Sequence, residues 1–373
     1  MFFYILSIFW CFFSFIFKRL STSSRWYLLT MSMLCVFLCF GYMTGSDWRS
    51  YEPMYDNVSI DNLFYDYYWE PGYYIWMLLF KVFHLNFWFF FITTKVLVFL
   101  AFLHTINKYS LEYRYLIWTF FLPFFAFYLF IDNPMRNLIA VAISLYAFNY
   151  LIRRKFVMFL IVTLLALSFH VTAIVLIPLY FLLLRHISTK VYLILLLCLM
   201  IFFSNDFIIN LLGNITGIDY INQKMLVYTD SEDGSGQSFS IKMFINLSFF
   251  LLLLWRRDKI EAYPNGLFLL NLSLFFVLFY RIGLGMHILY RFQLYFCLPY
   301  SICVILLIRI FTKRSHFIFA TYLLFLSLAC SMAVRTWKYI PYTNYLCYIY
   351  DSFSFSYRDS YNIKNTPYQN TIK

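Results

Sequence analysis

Long apolar segments follow one another along nearly the whole chain, each separated from the next by a short polar one. A helix that crosses a bilayer needs about 20 predominantly apolar residues, with a range of about 17 to 25. Unbroken runs such as VYLILLLCLMIFF (191–203) lack the alternation of a barrel strand, which leaves helices as the spanning element. The pattern therefore predicts an all-α, polytopic integral membrane protein with about 12 transmembrane helices. The predicted spans are roughly 3–17, 26–43, 87–106, 115–131, 136–151, 156–169, 171–184, 190–209, 239–255, 265–281, 291–310 and 315–335.

The segment 71–84 is apolar but short and interrupted, and we interpret it as a re-entrant or interfacial helix. With this assignment, the basic clusters of the short loops all fall on one side, which the positive-inside rule makes cytoplasmic. The N-terminus, the loops 44–70 and 210–238 and a Tyr-rich tail (336–373) then lie outside. We treat 1–335 as one transmembrane domain.

Composition and charge agree with a membrane protein. Of 373 residues, 63% are hydrophobic and 12% are charged. The net charge of +12 is scattered in short clusters between spans, so topology explains it better than nucleic-acid binding does. The eight cysteines form no C-x-x-C pair, and neither a triad of metal ligands nor a Walker loop occurs.

Four arginines depart from the positive-inside pattern, because they lie at the outer ends of predicted spans or beside them. They are Arg49, Arg136, Arg281 and Arg291. Arg136 falls in the first turn of a helix, where backbone N–H groups also favour an anion. Guanidinium groups at the outer ends of spans suit a phosphate ligand. The alternative for Arg136 is a pair with Asp132 or a side chain extended towards lipid headgroups.

His170 closes an apolar run at a tight outer turn, where a neutral imidazole could act as a general base and a protonated one could bind an anion. A hydrogen-bonded turn histidine is the alternative. The loop 44–70 mixes carboxylates with aromatic rings, a combination that fits carbohydrate, although an interfacial aromatic belt explains most of its tyrosines. We retain Asp47 and Glu70 as candidate acids. The candidate aromatic contacts are Trp48, Tyr51, Trp69 and Tyr290.

Five short motifs occur in a fixed order. They are G-S-D-W-x-x-Y (45–51), W-E-P-G-Y (69–73), M-R-N-L-I-A-V-A-I (135–143), S-F-H-V-T-A-I-V-L-I-P (168–178) and Y-R-F-Q-L-Y-F (290–296). In this order the chain resembles the EpsG-like family of bacterial polysaccharide polymerases, the Wzy-type O-antigen polymerases. The motif around Arg136 departs from the family's usual Arg followed by Gln and a small residue.

The resemblance implies a glycosyltransferase of the bacterial inner membrane with its active face in the periplasm. It would be metal-independent, need no cofactor and join undecaprenyl-diphosphate-linked oligosaccharide repeat units. A polysaccharide chain-length regulator is the protein partner that such an enzyme implies. We assign His170, Arg136, Asp47 and Glu70 to catalysis. We assign Arg49, Arg281, Arg291, Asp132, Trp48, Tyr51, Trp69 and Tyr290 to substrate binding.

Two other functions remain open. A flippase for lipid-linked oligosaccharide needs polar residues buried along a mid-membrane pathway, for which Lys81 and Lys95 are the candidates. An O-antigen ligase or membrane acyltransferase also uses Arg and His at a membrane face, and analysis of the reaction product distinguishes it from a polymerase.

Overall fold

The computed structural model describes residues 1–60, 70–109, 111–202, 240–285, 289–351 and 353–367. Within these ranges the regular structure is helical, and the only β-type pairing there is an isolated bridge between Gly41 and Asn344. The first helices are α1 (Phe2–Ile16), α2 (Lys18–Thr22), α3 (Ser24–Cys39), α4 (Trp48–Asn57), α5 (Pro71–Val82), α6 (Phe87–Tyr109), α7 (Arg114–Phe121), α8 (Met135–Ile152) and α9 (Phe156–Phe169). The later ones are α10 (Leu176–Leu179), α11 (Thr189–Phe202), α12 (Ile241–Trp255), α13 (Arg257–Glu261), α14 (Gly266–Gly285), α15 (Tyr290–Gln293), α16 (Cys297–Leu306), α17 (Lys313–Cys330) and α18 (Phe355–Asn365).

Five helical segments in the described part of the chain are long and apolar enough to cross a membrane. They are Phe87–Tyr109, Met135–Ile152, Gly266–Leu284, Tyr290–Ile310 and Ser315–Val334. Six shorter apolar helices of 10–17 residues accompany them. The helical fold class is confirmed, whereas the count of twelve spans stays a prediction. The predicted loop 210–238 lies outside the described residues.

Two predicted spans are not continuous α-helices. The span predicted at 115–131 begins as α7 and continues as two π-helical turns, Leu122–Ala126 and Tyr128–Asp132. Pro123 lies in the first of these turns, where a ring that lacks an N–H group interrupts the regular hydrogen-bond ladder. The span predicted at 171–184 contains a 3₁₀ turn (Val171–Val175) and then α10, which is a four-residue helix. The segment predicted at 71–84 is the helix α5.

Large apolar side chains are exposed on the outside of many helices. Examples are Leu28 at 65%, Ile318 at 69% and Phe325 at 66% exposure. Contiguous apolar surface of this kind is unfavourable in water but suits contact with lipid chains. The exterior of these helices therefore supports a membrane-embedded protein.

The chain divides into two compact units. The first comprises 1–146, 161–171 and 311–373, and the second comprises 147–160 and 172–310. In the first unit α1 packs against α7 and α17, and the ring of Tyr4 meets that of Phe127 edge-on at 5.0 Å. In the second unit α14 packs against α12, α15 and α16, where the rings of Phe276 and Tyr300 stack at 4.1 Å.

Candidate functional site

Three helix ends of the first unit bring Glu70, Arg136 and His170 together. The Arg136 Nη1 atom lies 2.5 Å from Glu70 Oε2. On its other side, Glu70 Oε1 lies 3.2 Å from His170 Nδ1 and accepts a longer hydrogen bond, 3.4 Å, from the backbone N–H of Val171. One carboxylate thus bridges a guanidinium group and an imidazole. We call these three residues the Glu70 cluster.

The local sequence explains why each side chain stands at a helix end. Glu70 immediately precedes Pro71, which occupies the first position of α5, where its missing N–H costs no helical hydrogen bond. Before α8, Asn133 adopts a left-handed conformation with φ of 75°, and Pro134 follows it, so Arg136 enters in the first turn. His170 lies between the end of α9 and the 3₁₀ turn.

Gly72 allows the start of α5 to approach the end of α9 closely. A Cβ atom at this position would lie 2.3 Å from Ser168 Oγ and 3.0 Å from the Ser168 carbonyl oxygen. The second contact is with the backbone, which cannot rotate away as a side chain can. The W-E-P-G-Y motif therefore supplies a carboxylate, a helix start and a close contact in three successive residues.

The members of the Glu70 cluster differ in accessibility. The side chains of Glu70 and His170 are 10% and 7% exposed, whereas that of Arg136 is 32% exposed. A buried carboxylate needs compensation, and Arg136 supplies the opposite charge. The Arg136 Nε atom is buried and has no hydrogen-bond partner among the described residues. A guanidinium group carries five N–H groups, so Arg136 is held by Glu70 and Tyr51 and still presents donors to a ligand on its exposed part.

Tyr51 connects α4 to this cluster. The guanidinium carbon of Arg136 lies 5.9 Å from the centre of the Tyr51 ring, and the Tyr51 and Tyr73 rings lie 5.6 Å apart. A cation at this distance from an aromatic ring is attracted to it. Tyr51 was predicted as a sugar contact, and its ring lies against the arginine.

An apolar groove of about 320 Å³ is lined by α6 and by the three helices that carry the Glu70 cluster. Phe169 immediately precedes His170, Ile139 lies three residues after Arg136, and Trp76 belongs to α5. Tyr146 continues the groove along α8, and the Trp76 indole N–H donates to Thr94 at 2.9 Å. We call this the α8 groove. It offers apolar surface beside a cationic group.

Asp47 and Asp132 belong to a neighbouring set of contacts. Ser46 donates its backbone N–H to Asp132 Oδ1 at 3.0 Å, and its hydroxyl lies 2.6 Å from Asp132 and 3.2 Å from Asp47. Lys338 Nζ lies 3.9 Å from Asp132. Gly45, with φ of 91°, makes this approach possible, since a Cβ atom there would overlap the Ile131 carbonyl oxygen. Arg136 pairs with Glu70, so the alternative pair with Asp132 is not the one observed.

Arg49 and Trp48 contact the C-terminal segment, which is the Tyr-rich tail (336–373). Arg49 Nε lies 2.8 Å from Asp359 Oδ1, and the Arg49 guanidinium lies 5.0 Å from the Trp337 ring. Trp48 is 1% exposed and packs against Trp88 and Phe355. These two residues are therefore engaged in holding the tail on α4.

A buried ion pair joins Arg358 of that segment to Glu52. Arg358 Nη1 lies 2.8 and 2.6 Å from the two carboxylate oxygens, and each side chain is 10% exposed. Burial raises the pKa of Glu52 above its ordinary value, and the guanidinium of Arg358 offsets part of this rise. The tail, predicted only as a Tyr-rich appendage, is thus packed on the first loop.

Arg281, Arg291 and Tyr290 belong to the second unit. A Cβ atom at Gly283 would lie 2.7 Å from the Cα of Tyr290, so the end of α14 meets the start of α15. Arg281 is 2% exposed, and Arg291 is half-buried in α15. Trp69 lies outside the described residues, and among those described no group of three His, Cys, Asp or Glu residues could hold a metal ion.

A comparison with known protein families decides where this chain belongs. The sequence profile of the EpsG family matches residues 24–352. The chain belongs to the EpsG family. EpsG proteins are polysaccharide polymerase-like membrane proteins, and the apolar helices agree with that description. Neither a search of curated proteins nor a search of solved structures finds a match. The resemblance inferred from the five motifs is thereby confirmed, and the match includes the Glu70 cluster and the tail as far as residue 352.

Sequence reasoning singled out the members of the Glu70 cluster separately but did not pair them. It missed Glu52 with Arg358 and Arg49 with Asp359, because partners 306 and 310 positions apart leave no local signal. Gly72 belongs to the W-E-P-G-Y motif, and a glycine directly after a helix-opening proline is a sequence signal of close packing.

Proposed function

We propose that this EpsG family chain is a surface polysaccharide (O-antigen) polymerase. It would join undecaprenyl-diphosphate-linked oligosaccharide repeat units at the periplasmic face of the bacterial inner membrane. The observation that carries the proposal is the Glu70 cluster, in which one carboxylate bridges a partly exposed arginine and a histidine beside an apolar groove. Lipid-linked diphosphate sugars offer a complementary set of groups: a diphosphate anion for the arginine, an acceptor hydroxyl for the histidine and a long apolar chain for the groove.

The reaction transfers a glycosyl group. A hydroxyl oxygen of the acceptor forms a bond to the anomeric carbon of the donor sugar while the bond from that carbon to the diphosphate oxygen breaks. The hydroxyl proton passes to His170, and the electron pair of the broken bond leaves with the lipid diphosphate. Because negative charge grows on the departing oxygen, a fixed cation beside it lowers the barrier.

Arg136 is the residue that we assign to the diphosphate. Its partly exposed guanidinium keeps N–H donors beyond those that Glu70 and Tyr51 engage, and a planar fork of donors suits phosphate oxygens. Glu70 holds the guanidinium in place. Because Glu70 lies against Nδ1 of His170, it favours a proton on that nitrogen and leaves Nε2 to accept the proton of the acceptor.

The α8 groove is where we propose that the lipid chain lies. Its lining residues Ile139 and Tyr146 lie on the helix that carries Arg136, so a chain running along α8 would keep its diphosphate at the guanidinium. Burial of each methylene contributes about 0.8 kcal/mol. We therefore expect the protein to prefer carriers whose apolar chain is long enough to fill the groove.

The two alternatives differ from polymerisation in what the basic residues do. A flippase needs basic residues along a buried pathway. Lys81, however, lies at the end of α5 and donates to the backbone carbonyls of Tyr55 and Asp56 in α4. Lys95 is buried in α6, with its ammonium nitrogen 4.9 Å from the centre of the Phe91 ring. The burial of Lys95 favours transport, whereas the Glu70 cluster favours glycosyl transfer.

The size profile of the surface polysaccharide tests the proposal. A deletion strain is complemented with the wild type, Arg136→Ala or Arg335→Ala, the last removing an exposed arginine outside the cluster. We expect the deletion and Arg136→Ala to give a single-repeat band, and the wild type and Arg335→Ala to give a full ladder. Loss of the single-repeat band in the deletion points to a flippase or ligase. A full ladder from Arg136→Ala at wild-type expression contradicts the role of the arginine.

A further inference from the structure

A second cavity, of about 520 Å³, lies in the first unit between α4, the start of α6 and the C-terminal segment. Its volume falls within the range of about 300–1000 Å³ that is usual for sites of small ligands. None of the residues of the Glu70 cluster lines it. We call it the tail cavity.

Aromatic rings form its walls. The rings of Trp88 and Tyr345 lie nearly parallel, with centres 6.2 Å apart and planes at 20°. Tyr42 lies edge-on to Trp88 at 4.6 Å and faces Tyr348 at 5.5 Å. Trp88 is buried, while Tyr345 and Tyr348 are half-buried, so parts of the tyrosine rings remain accessible. Faces of this kind pack against the C–H faces of sugar rings.

Polar groups with unused hydrogen-bonding capacity complete the lining. The side chains of Asp56 and Asp351 are exposed and have no hydrogen-bond partner among the residues that the structure describes. Asn86 uses its side-chain carbonyl to cap α6 at Phe89 N, 2.8 Å away, which leaves its amide N–H groups as donors. Carboxylates that accept and amides that donate are the groups that recognise hydroxyls.

Specific contacts between the tail and the helices around it hold the walls of the cavity in place. The buried pair of Glu52 with Arg358 forms part of its lining, and Arg358 also lies 5.7 Å from the Trp88 ring. Lys81 donates to backbone carbonyls of α4, which fixes the opposite wall. Its charged groups are therefore paired with one another or with the backbone, except the two aspartates.

From these observations we infer that the tail cavity binds an uncharged oligosaccharide segment, separately from the Glu70 cluster. The identity of that saccharide as the polymer's own repeat rests on the proposed function. α4 connects the two places, because Tyr51 lies against Arg136 while Glu52, Tyr55 and Asp56 line the cavity. A chain held there stays near the reacting end between successive transfers.

Binding of lipid-free oligosaccharides to the purified full-length protein tests this inference. The probe is the host's surface polysaccharide, partially hydrolysed to short oligosaccharides, and binding is followed by saturation-transfer NMR with titration. Tyr348→Ala and Asp351→Asn remove a ring face and a carboxylate. Tyr350→Ala is the matched control, because this tyrosine is 99% exposed and does not line the cavity.

We expect each cavity variant to raise the Kd roughly tenfold, which is the effect of losing one good polar or stacking contact. Tyr350→Ala and Arg136→Ala should bind as the wild type does. Because the assay needs no transfer reaction, it separates this inference from the polymerase proposal. Absence of binding by the wild type, unchanged binding by both cavity variants, or loss of binding in Arg136→Ala alone would each overturn the inference.

Chain length gives a second readout that does not depend on the purified protein. With cavity binding weakened, the growing chain is released sooner, so Tyr348→Ala and Asp351→Asn should give shortened ladders and not a single-repeat band, whereas Tyr348→Phe should give a ladder of near wild-type length. Tyr348→Phe keeps the ring and guards against a folding defect. A ladder of wild-type length from Tyr348→Ala and Asp351→Asn would contradict the cavity's role.

Discussion

At the scale of single residues, Glu70 is the member of the cluster on which the other two depend. Its two oxygens contact different partners, Arg136 on one side and His170 on the other. Glu70→Gln keeps the shape but removes the charge that holds the guanidinium and favours one imidazole tautomer. We expect the rate of transfer to fall roughly a hundredfold or more, with a smaller change in KM. The measurement is polymer formation by purified protein from lipid-linked repeat units.

Glu112→Gln is the control for this prediction, because Glu112 is exposed and lies outside the cluster. The variant Glu70→Gln/Arg136→Gln adds a second criterion. Residues that act as one unit are not additive, so the double variant should lose about as much rate as the worse single variant. Independent, multiplied losses would show that the two side chains act separately.

At the scale of helices, the contact between α5 and α9 sets the position of Glu70. Gly72→Ala would place a methyl group 3.0 Å from the Ser168 carbonyl oxygen, so the two helix ends must move apart. We expect transfer to fall at least tenfold, since a small displacement of a positioned group is costly, while the protein still folds. The measurement is the transfer rate together with thermal stability.

Gly41→Ala is the matched control for Gly72→Ala. A Cβ atom at Gly41 would meet its nearest neighbours, Lys95 and Tyr342, at 3.9 and 4.0 Å, which is ordinary contact. Transfer should therefore stay near the wild-type rate. Equal losses in the two variants would mean that the close approach of α5 to α9 has no special role.

The docking of α18 on α4 depends chiefly on the buried Glu52–Arg358 pair. Removing one partner of a buried pair typically costs about 3–5 kcal/mol, whereas an exposed pair contributes about 0–1 kcal/mol. Arg358→Met should therefore destabilise the segment and speed its proteolysis. Lys364→Met, an exposed substitution on the same helix, should not. Asp359→Asn, at a 48% exposed partner, should have a small effect.

The loss in Arg358→Met should also depend on pH. Burial already raises the pKa of Glu52, and without Arg358 nothing offsets that rise. A carboxyl whose pKa is higher in the folded than in the unfolded state opposes folding as pH rises through the folded value. The destabilisation should thus be larger at about pH 8 than at about pH 5. An equal loss at both pH values would show that Glu52 is not the source.

At the scale of the whole molecule, hydrophobic patterning predicted the helical class and most helix positions, because a lipid environment demands both apolar side chains and internally bonded backbone. It overstated continuity where single prolines or 3₁₀ turns break an apolar run, as at Pro123. Patterning carries no information about which distant polar side chains meet. The sequence indicates Arg136 and Glu70 as separate candidate site residues, but their pairing depends on how α5 and α8 pack.

The placement of the tail gives a prediction for the entire topology. Because Arg358 binds Glu52, the C-terminal segment must lie on the same side of the membrane as α4, which the basic loops predict to be the outside. Cys347 is exposed in this segment and serves as a natural probe. A membrane-impermeant maleimide should label the wild type in intact spheroplasts but not Cys347→Ser.

The opposite face supplies the matched control. Lys155 is exposed in a loop predicted to be cytoplasmic, so Lys155→Cys in the Cys347→Ser background should react only after the membrane is disrupted. Labelling of Cys347 only after disruption, with Lys155→Cys reactive in intact spheroplasts, would invert the orientation. The Glu70 cluster would then face the cytoplasm, and the polymerase proposal would fail with it, since repeat units joined outside could not reach the cluster.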